Sequence, residues 1–280
     1  MPKLSLLILS FGLLLTWLFP SALPAATPGQ QDTYTFSAPP WESAIEGKAK
    51  YEPIAEYLSN VTGKKVVYQY PGSWDAYRSN MTKGRYDIIF DGAHFNDYRA
   101  SRLNYKIVAK APNDRRFVVI VNKKNKQYRN LKQLAGRAIC TQSPPDIGTL
   151  TLLQQFDNPA RQPFIVNTRG WGNIYQGVQS GRCIAGILPI AILKNLDRAL
   201  TRSRIVFRAK PMPSQAFSVG PRVRLTDRKK ITAALTSIKA YAPTSKLRMA
   251  HNISGTRFAP TSNKEYAGMA VLLKDQWGYY

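Results

Sequence analysis

The residues able to do chemistry in this chain are few, and they sit where strands run out. Asp91-Gly92-Ala93-His94-Phe95 places a carboxylate three residues from one of only two histidines. Such a pair could pass a proton. However, no Gly-x-Ser-x-Gly elbow, phosphate-cradling glycine loop or histidine-pair metal motif accompanies it. Two histidines and the two cysteines Cys140 and Cys183 leave few metal ligands. These residues point to binding rather than catalysis, with no metal and no cofactor.

A second group is Gln142-Ser143-Pro144-Pro145-Asp146-Ile147-Gly148-Thr149-Leu150-Thr151. A rigid turn here runs into a helix start, whose free N–H groups and dipole favour an oxyanion. Ser143, Thr149 and Thr151 add hydroxyls, and Gly148 allows close approach. Asp146 stands at the N-cap position, where its carboxylate competes for the same N–H groups. Aromatic residues supply the third signal. Trp41 follows Pro39-Pro40, Trp74 opens a helix with Tyr77 one turn on, and Trp171 opens another with Tyr175 four residues later. At a cleft they would stack on an organic ligand; for Tyr77 and Tyr175, core packing is the stronger reading.

The elements that position these groups alternate. Residues 34–38 read as a strand. Residues 48–62 read as an amphipathic helix, with Tyr51, Ile54, Ala55, Leu58 and Val61 on one face and Gly63 as its stop. Strands over 66–70, 86–90 and 106–111 alternate with helices over 74–83 and 95–103. After a strong strand at 117–122 the pattern restarts: strands at 137–141, 164–167, 183–188 and 205–209, helices at 131–134, 149–156 and 171–180. An extended segment at 216–219 and helices at 227–242 and 266–277 close the chain. Repeated strand–helix–strand order predicts an α/β fold of two lobes, each a mainly parallel sheet flanked by helices. The lobe boundaries fall at 27–114, 115–214 and 215–280, the last segment returning to the first lobe. Open parallel sheets bind ligands beyond the carboxyl ends of their strands, so the cleft between the lobes is the expected site.

The N-terminus reads as an export leader. Lys3 precedes an apolar run over 4–19, Pro20 ends it, and small residues follow at Ala22, Ala25 and Ala26. That run is shorter than the roughly 20 residues needed to span a bilayer, which predicts cleavage after Ala25 or Ala26 over a leader of residues 1–26. The formal charge is +24, the electrostatic footprint of a nucleic-acid binder. Export and the lack of any nucleic-acid module argue against that partner and leave a basic solvated surface, with ten Lys or Arg residues over 198–230. In an oxidising compartment Cys140 and Cys183 invite a bridge. If both lay in level parallel strands, their Cα atoms would be roughly 8 Å apart, beyond bridging range, so sequence leaves the bond open.

Tyr51-Glu-Pro-Ile-Ala-Glu-Tyr-Leu58, Met81-Thr-Lys-Gly-Arg-Tyr-Asp-Ile-Ile-Phe90, Leu131-Lys-Gln-Leu-Ala-Gly-Arg137 and Gln215-Ala-Phe-Ser-Val219 together resemble the PhnD-type phosphonate/phosphite/phosphate receptors of ABC importers, which are type II periplasmic binding proteins. The resemblance covers nearly the whole mature chain. It implies a monomeric periplasmic solute receptor whose lobes close on a small molecule about crossings near 115–117 and 215–217 and deliver it to a membrane permease. It also implies that Trp74 and the segment from Asp91 through Phe95 to Asn96 touch ligand. The family's Ser-Thr-Ser-Gly turn is replaced here by Ser143-Pro-Pro-Asp-Ile-Gly148-Thr149. The resemblance makes an oxyanion the leading ligand, and the altered turn makes a neutral or cationic organic solute the alternative. Presentation to a sensor kinase is the alternative partner.

Overall fold

The computed structural model describes residues 33–276, 278 and 279; the expected leader lies outside them. Strand β1 (Thr33–Ser37) leads to helix α1 (Ala44–Thr62), which starts four residues before the apolar periodicity. The cause is a capping box: the Ser43 side chain accepts from the Glu46 N–H, and Glu46 reaches back to the Ser43 N–H, which satisfies two of the helix's orphan donors. Then follow β2 (Lys65–Tyr68), α2 (Trp74–Thr82), β3 (Ile88–Asp91), α3 (Ala93–Arg102) and β4 (Lys106–Lys110). The chain crosses over and builds β5 (Phe117–Asn122), β6 (Ala138–Thr141), α4 (Ile147–Leu153), β7 (Phe164–Asn167), α5 (Trp171–Gln179), β8 (Ala185–Pro189), α6 (Ile190–Leu196) and β9 (Ser203–Arg208). It returns through β10 (Ala216–Val219), α7 (Leu225–Thr236), α8 (Ser245–His251), β11 (Ala259–Pro260) and α9 (Asn263–Tyr266). The long closing helix expected over 266–277 is instead α9 followed by a 3-10 turn, Met269–Leu273.

Two sheets result, in the orders β11-β4-β10-β3-β1-β2 and β7-β6-β8-β5-β9. They are mixed rather than mainly parallel. In each, three strands joined by helices run parallel (β2-β1-β3 and β7-β6-β8). A strand arriving from a crossing then inserts antiparallel, β10 between β3 and β4 and β5 between β8 and β9. Helix crossovers enforce parallel pairing; β5 and β10 enter without one, which sequence periodicity does not reveal. Both lobes therefore share one strand plan. The two crossings pair with each other: the Arg115 and Met212 backbones exchange two hydrogen bonds of 2.8 and 2.9 Å, and the Ala111 N–H donates to the Gln215 carbonyl. Among the described residues, no helix is long and apolar enough to cross a membrane.

Cys140 and Cys183 are bonded, with Cα atoms 5.6 Å apart. The 8 Å separation assumed two extended segments. Cys183 instead lies in the bend before β8, after Gly181 at φ 82, and that bend folds it toward the end of β6.

Candidate functional site

Between the lobes lies a cavity of about 200 Å³, lined from both sides. Its walls are the segments that follow strands: Trp41 and Glu42 after β1, Gly92 to His94 after β3, Gln142 and Pro145 to Ile147 after β6, and Arg169 to Trp171 after β7. Every one of these leaves the carboxyl end of a strand, where α/β sheets hold ligands. The crossings add Arg115 and Gln215, and the end of α8 adds His251.

Of the residues expected at a site, Trp41, His94, Asp146 and Trp171 line this cavity. The others do not line it. Trp74 packs against Trp41, with ring centroids 6.1 Å apart, and stacks on Phe95 at 6.3 Å, so it braces a wall instead of forming one. Phe95 is fully buried and tilted against the His94 ring, 4.0 Å away. Tyr77 is buried in the core, where it donates to the Asp91 carboxylate, which also binds Arg99 at 3.0 Å, all three fully buried. Ser143 is exposed in the turn ahead of α4, before the cis Pro144-Pro145 bond.

The start of α4 is occupied by its own residues. Asp146 caps it, accepting from the Thr149 N–H at 3.1 Å. The Thr149 hydroxyl is paired with the Thr141 hydroxyl and the Gln142 carbonyl, and the Thr151 hydroxyl donates to the Ile147 carbonyl at 2.6 Å. Gly148 is needed for packing: a Cβ there would sit 2.7 Å from the Phe117 ring. This turn holds the lobe together and does not present the open set of donors that an oxyanion cradle requires.

His94 joins the lobes. Its Nε2–H donates to the Pro145 carbonyl at 2.9 Å, a bond from α3 to the loop before α4. The ring presses on the backbone of Gly92, where a Cβ would meet it at 2.9 Å. Burial pushes its pKa down to about 3, against the Pro145 bond, and the ring is neutral at physiological pH. A depressed native pKa gives stability that is complete above about 6.5 and is lost as pH falls toward about 3, because the unfolded chain takes up the proton first. By pH 5 the loss from His94 is about 2 kcal/mol. Asp91 and Asp146, both raised to about 6 by burial, act in the opposite direction below that value. A His94→Gln variant, which keeps an N–H donor, is expected to lose less stability than the parent between pH 7 and 5. Parallel melting profiles for the two would remove His94 as the acid-sensitive group.

Three wall residues carry no binding signal in the sequence. Arg115 reads there as a crossing residue and Gln215 as the start of the return segment. His251 ends α8, a helix not expected, although Asn252 at φ 51 is a helix-ending residue visible in the sequence.

The family of periplasmic substrate-binding proteins of ABC phosphonate transporters matches residues 36–266. The chain belongs to it. No curated protein sequence matches. Among solved structures, PhnD1 of Prochlorococcus marinus in complex with methylphosphonate is 15% identical, with a TM-score of 0.66 over 87% of this chain and 98% of that one. XAC2383 of Xanthomonas citri bound to ATP is 12% identical, with a TM-score of 0.67 over 87% and 97%. A binding-protein component of an ABC phosphonate transporter of Pseudomonas aeruginosa is 14% identical, with a TM-score of 0.62 over 86% and 85%. These likenesses show the two-lobed α/β fold of type II periplasmic binding proteins. The chain is a periplasmic substrate-binding component of this transporter class, whose partner is a membrane permease.

Proposed function

We propose that the protein captures a small anionic solute in the interlobe cavity and presents it, as a monomer, to the permease of an ABC importer. One observation carries the sign of the charge. Arg115 makes no ion pair among the described residues, and its single side-chain hydrogen bond is a 3.4 Å contact to the His251 carbonyl. Burial lowers its pKa to about 10, so it stays charged at neutral pH. The Asp146 carboxylate acts on it only from beyond ion-pair distance, and a half-buried guanidinium in no direct ion pair gains from an anion that binds it. The volume suits a solute smaller than the drug-sized ligands that fill roughly 300 Å³ or more, and the methylphosphonate seen with PhnD1 is of that size class. Trp41 and Trp171 face this space from opposite lobes and would flank an organic body.

The expected result is thermal stabilisation by small anions. At a hundredfold excess over Kd the gain is about 2.7 kcal/mol, or about 5–10 °C in Tm for a chain of this size. The panel should contain methylphosphonate, phosphate, organosulfonates, carboxylates and quaternary amines. A shift confined to the amines would replace the anion with a cation held by Trp41 and Trp171. No shift with any member would remove the anion reading.

A further inference from the structure

We infer that the cavity selects singly charged organic anions over dianions such as inorganic phosphate, with Arg115 holding the anionic group. This rests on the anion-receptor reading above and adds the charge of the solute to it.

The charges of the wall set the number. Lys50, Arg115 and Arg169 face Glu42 and Asp146 across the same space, a balance of one positive charge. Lys50 and Glu42 neutralise each other at 2.8 Å. Both histidines are uncharged at neutral pH, burial holding His251 well below its usual range as it does His94. A second negative charge on the solute would go uncompensated in a half-enclosed site, and it would face the Asp146 carboxylate. The helix start that could have carried it is spent on that same carboxylate. Like charges forced together in an interface weaken binding strongly.

A second, independent feature describes the rest of the solute. Gln215 is 6% exposed and its Oε1 has no partner, while its Nε2 donates to His251 Nδ1 at 3.0 Å. His251 then carries its hydrogen on Nε2, which is also buried without a partner. Both residues line the cavity, so its wall holds an unpaired neutral acceptor and an unpaired neutral donor. A hydroxyl answers both, since it donates and accepts.

The test compares 2-hydroxyethanesulfonate with 2-hydroxyethylphosphonate by titration calorimetry at about pH 8.5, where a phosphoryl group carries its second charge. The two differ by one charge on otherwise similar frames. The sulfonate is expected to bind at least about tenfold more tightly. Arg115→Met should weaken it about 30-fold or more, with the far-UV spectrum unchanged; if that variant does not fold, Arg115→Lys should show a smaller loss because it lacks the guanidinium fork. Asp146→Asn, which retains a capping oxygen, should narrow the preference by admitting the phosphonate, a gain that unfolding cannot mimic. Equal or tighter binding of the phosphonate, or an Arg115→Met affinity within about threefold of the parent, overturns the inference and leaves the receptor reading intact. Failure of both anions to bind folded protein overturns the receptor reading as well.

Discussion

Replacing Asp91 by Ala is expected to lower the folding free energy by about 3–5 kcal/mol, the range for removing one partner of a buried ion pair. Asp91 and Arg99 are both fully buried and meet at 3.0 Å. Tyr77 donates to one Asp91 oxygen and the Gly92 N–H to the other. The guanidinium is spread over α2, α3 and β10, reaching Asn96 Oδ1 at 2.9 Å, Ser218 Oγ at 3.1 Å and Met81 Sδ at 3.3 Å. Truncating Asp91 leaves this cation in the core with neutral partners only. Urea denaturation measures the loss. The double variant Asp91→Leu with Arg99→Met removes the charge along with its partner and is expected to recover more than half of it. A single-mutant cost below about 1 kcal/mol would show that water reaches Arg99 and that the pair is not closed off.

The second large effect concerns the bridge. Cys140–Cys183 closes a loop with a sequence separation of 43 residues, for which the chain-entropy estimate is about 4 kcal/mol. Reduction, or the paired substitutions Cys140→Ser and Cys183→Ser, is expected to lower Tm by about 10 °C. The bond also reaches the ligand wall. Cys140, Cys183 and Ile174 form a small buried cluster against Trp171, and a Cβ on Gly177 of α5 would lie 2.6 Å from Cys140 Sγ. Loss of the bridge should therefore loosen the start of α5 and weaken solute binding together with stability. An unchanged Tm under reducing conditions would mean that the surrounding packing alone fixes the bend.

Much of the architecture was legible because it rests on local signals. The capped amphipathic α1, the Trp residues opening α2 and α5, and the Asp146 cap are all choices made within a few residues. The site was less legible because its walls depend on which way a side chain turns at the end of a strand. Asp91 ends β3 as a ligand contact would, yet it turns toward α2 and α3, where Tyr77 and Arg99 wait. Trp74 opens its helix as expected, and Trp41 stands between it and the cavity. Arg115, Gln215 and His251 come from three segments far apart in sequence, and only the pairing of the two crossings brings them together. No spacing rule reaches that far.

The position of β10 bears on the order in which the molecule is made. The first sheet has a gap between β3 and β4 that only β10 fills, and β10 begins at residue 216, after β4 has ended at residue 110. The second sheet uses strands from one uninterrupted stretch, Phe117 to Arg208. Contacts closed across long separations form late, because the entropy of the intervening chain must be spent first. A chain synthesised from its N-terminus thus carries a leading half that cannot complete its sheet while the rest is still to be made. That sheet stays incomplete until β10 and β11 have been made, and the strands of the second lobe form the first complete sheet.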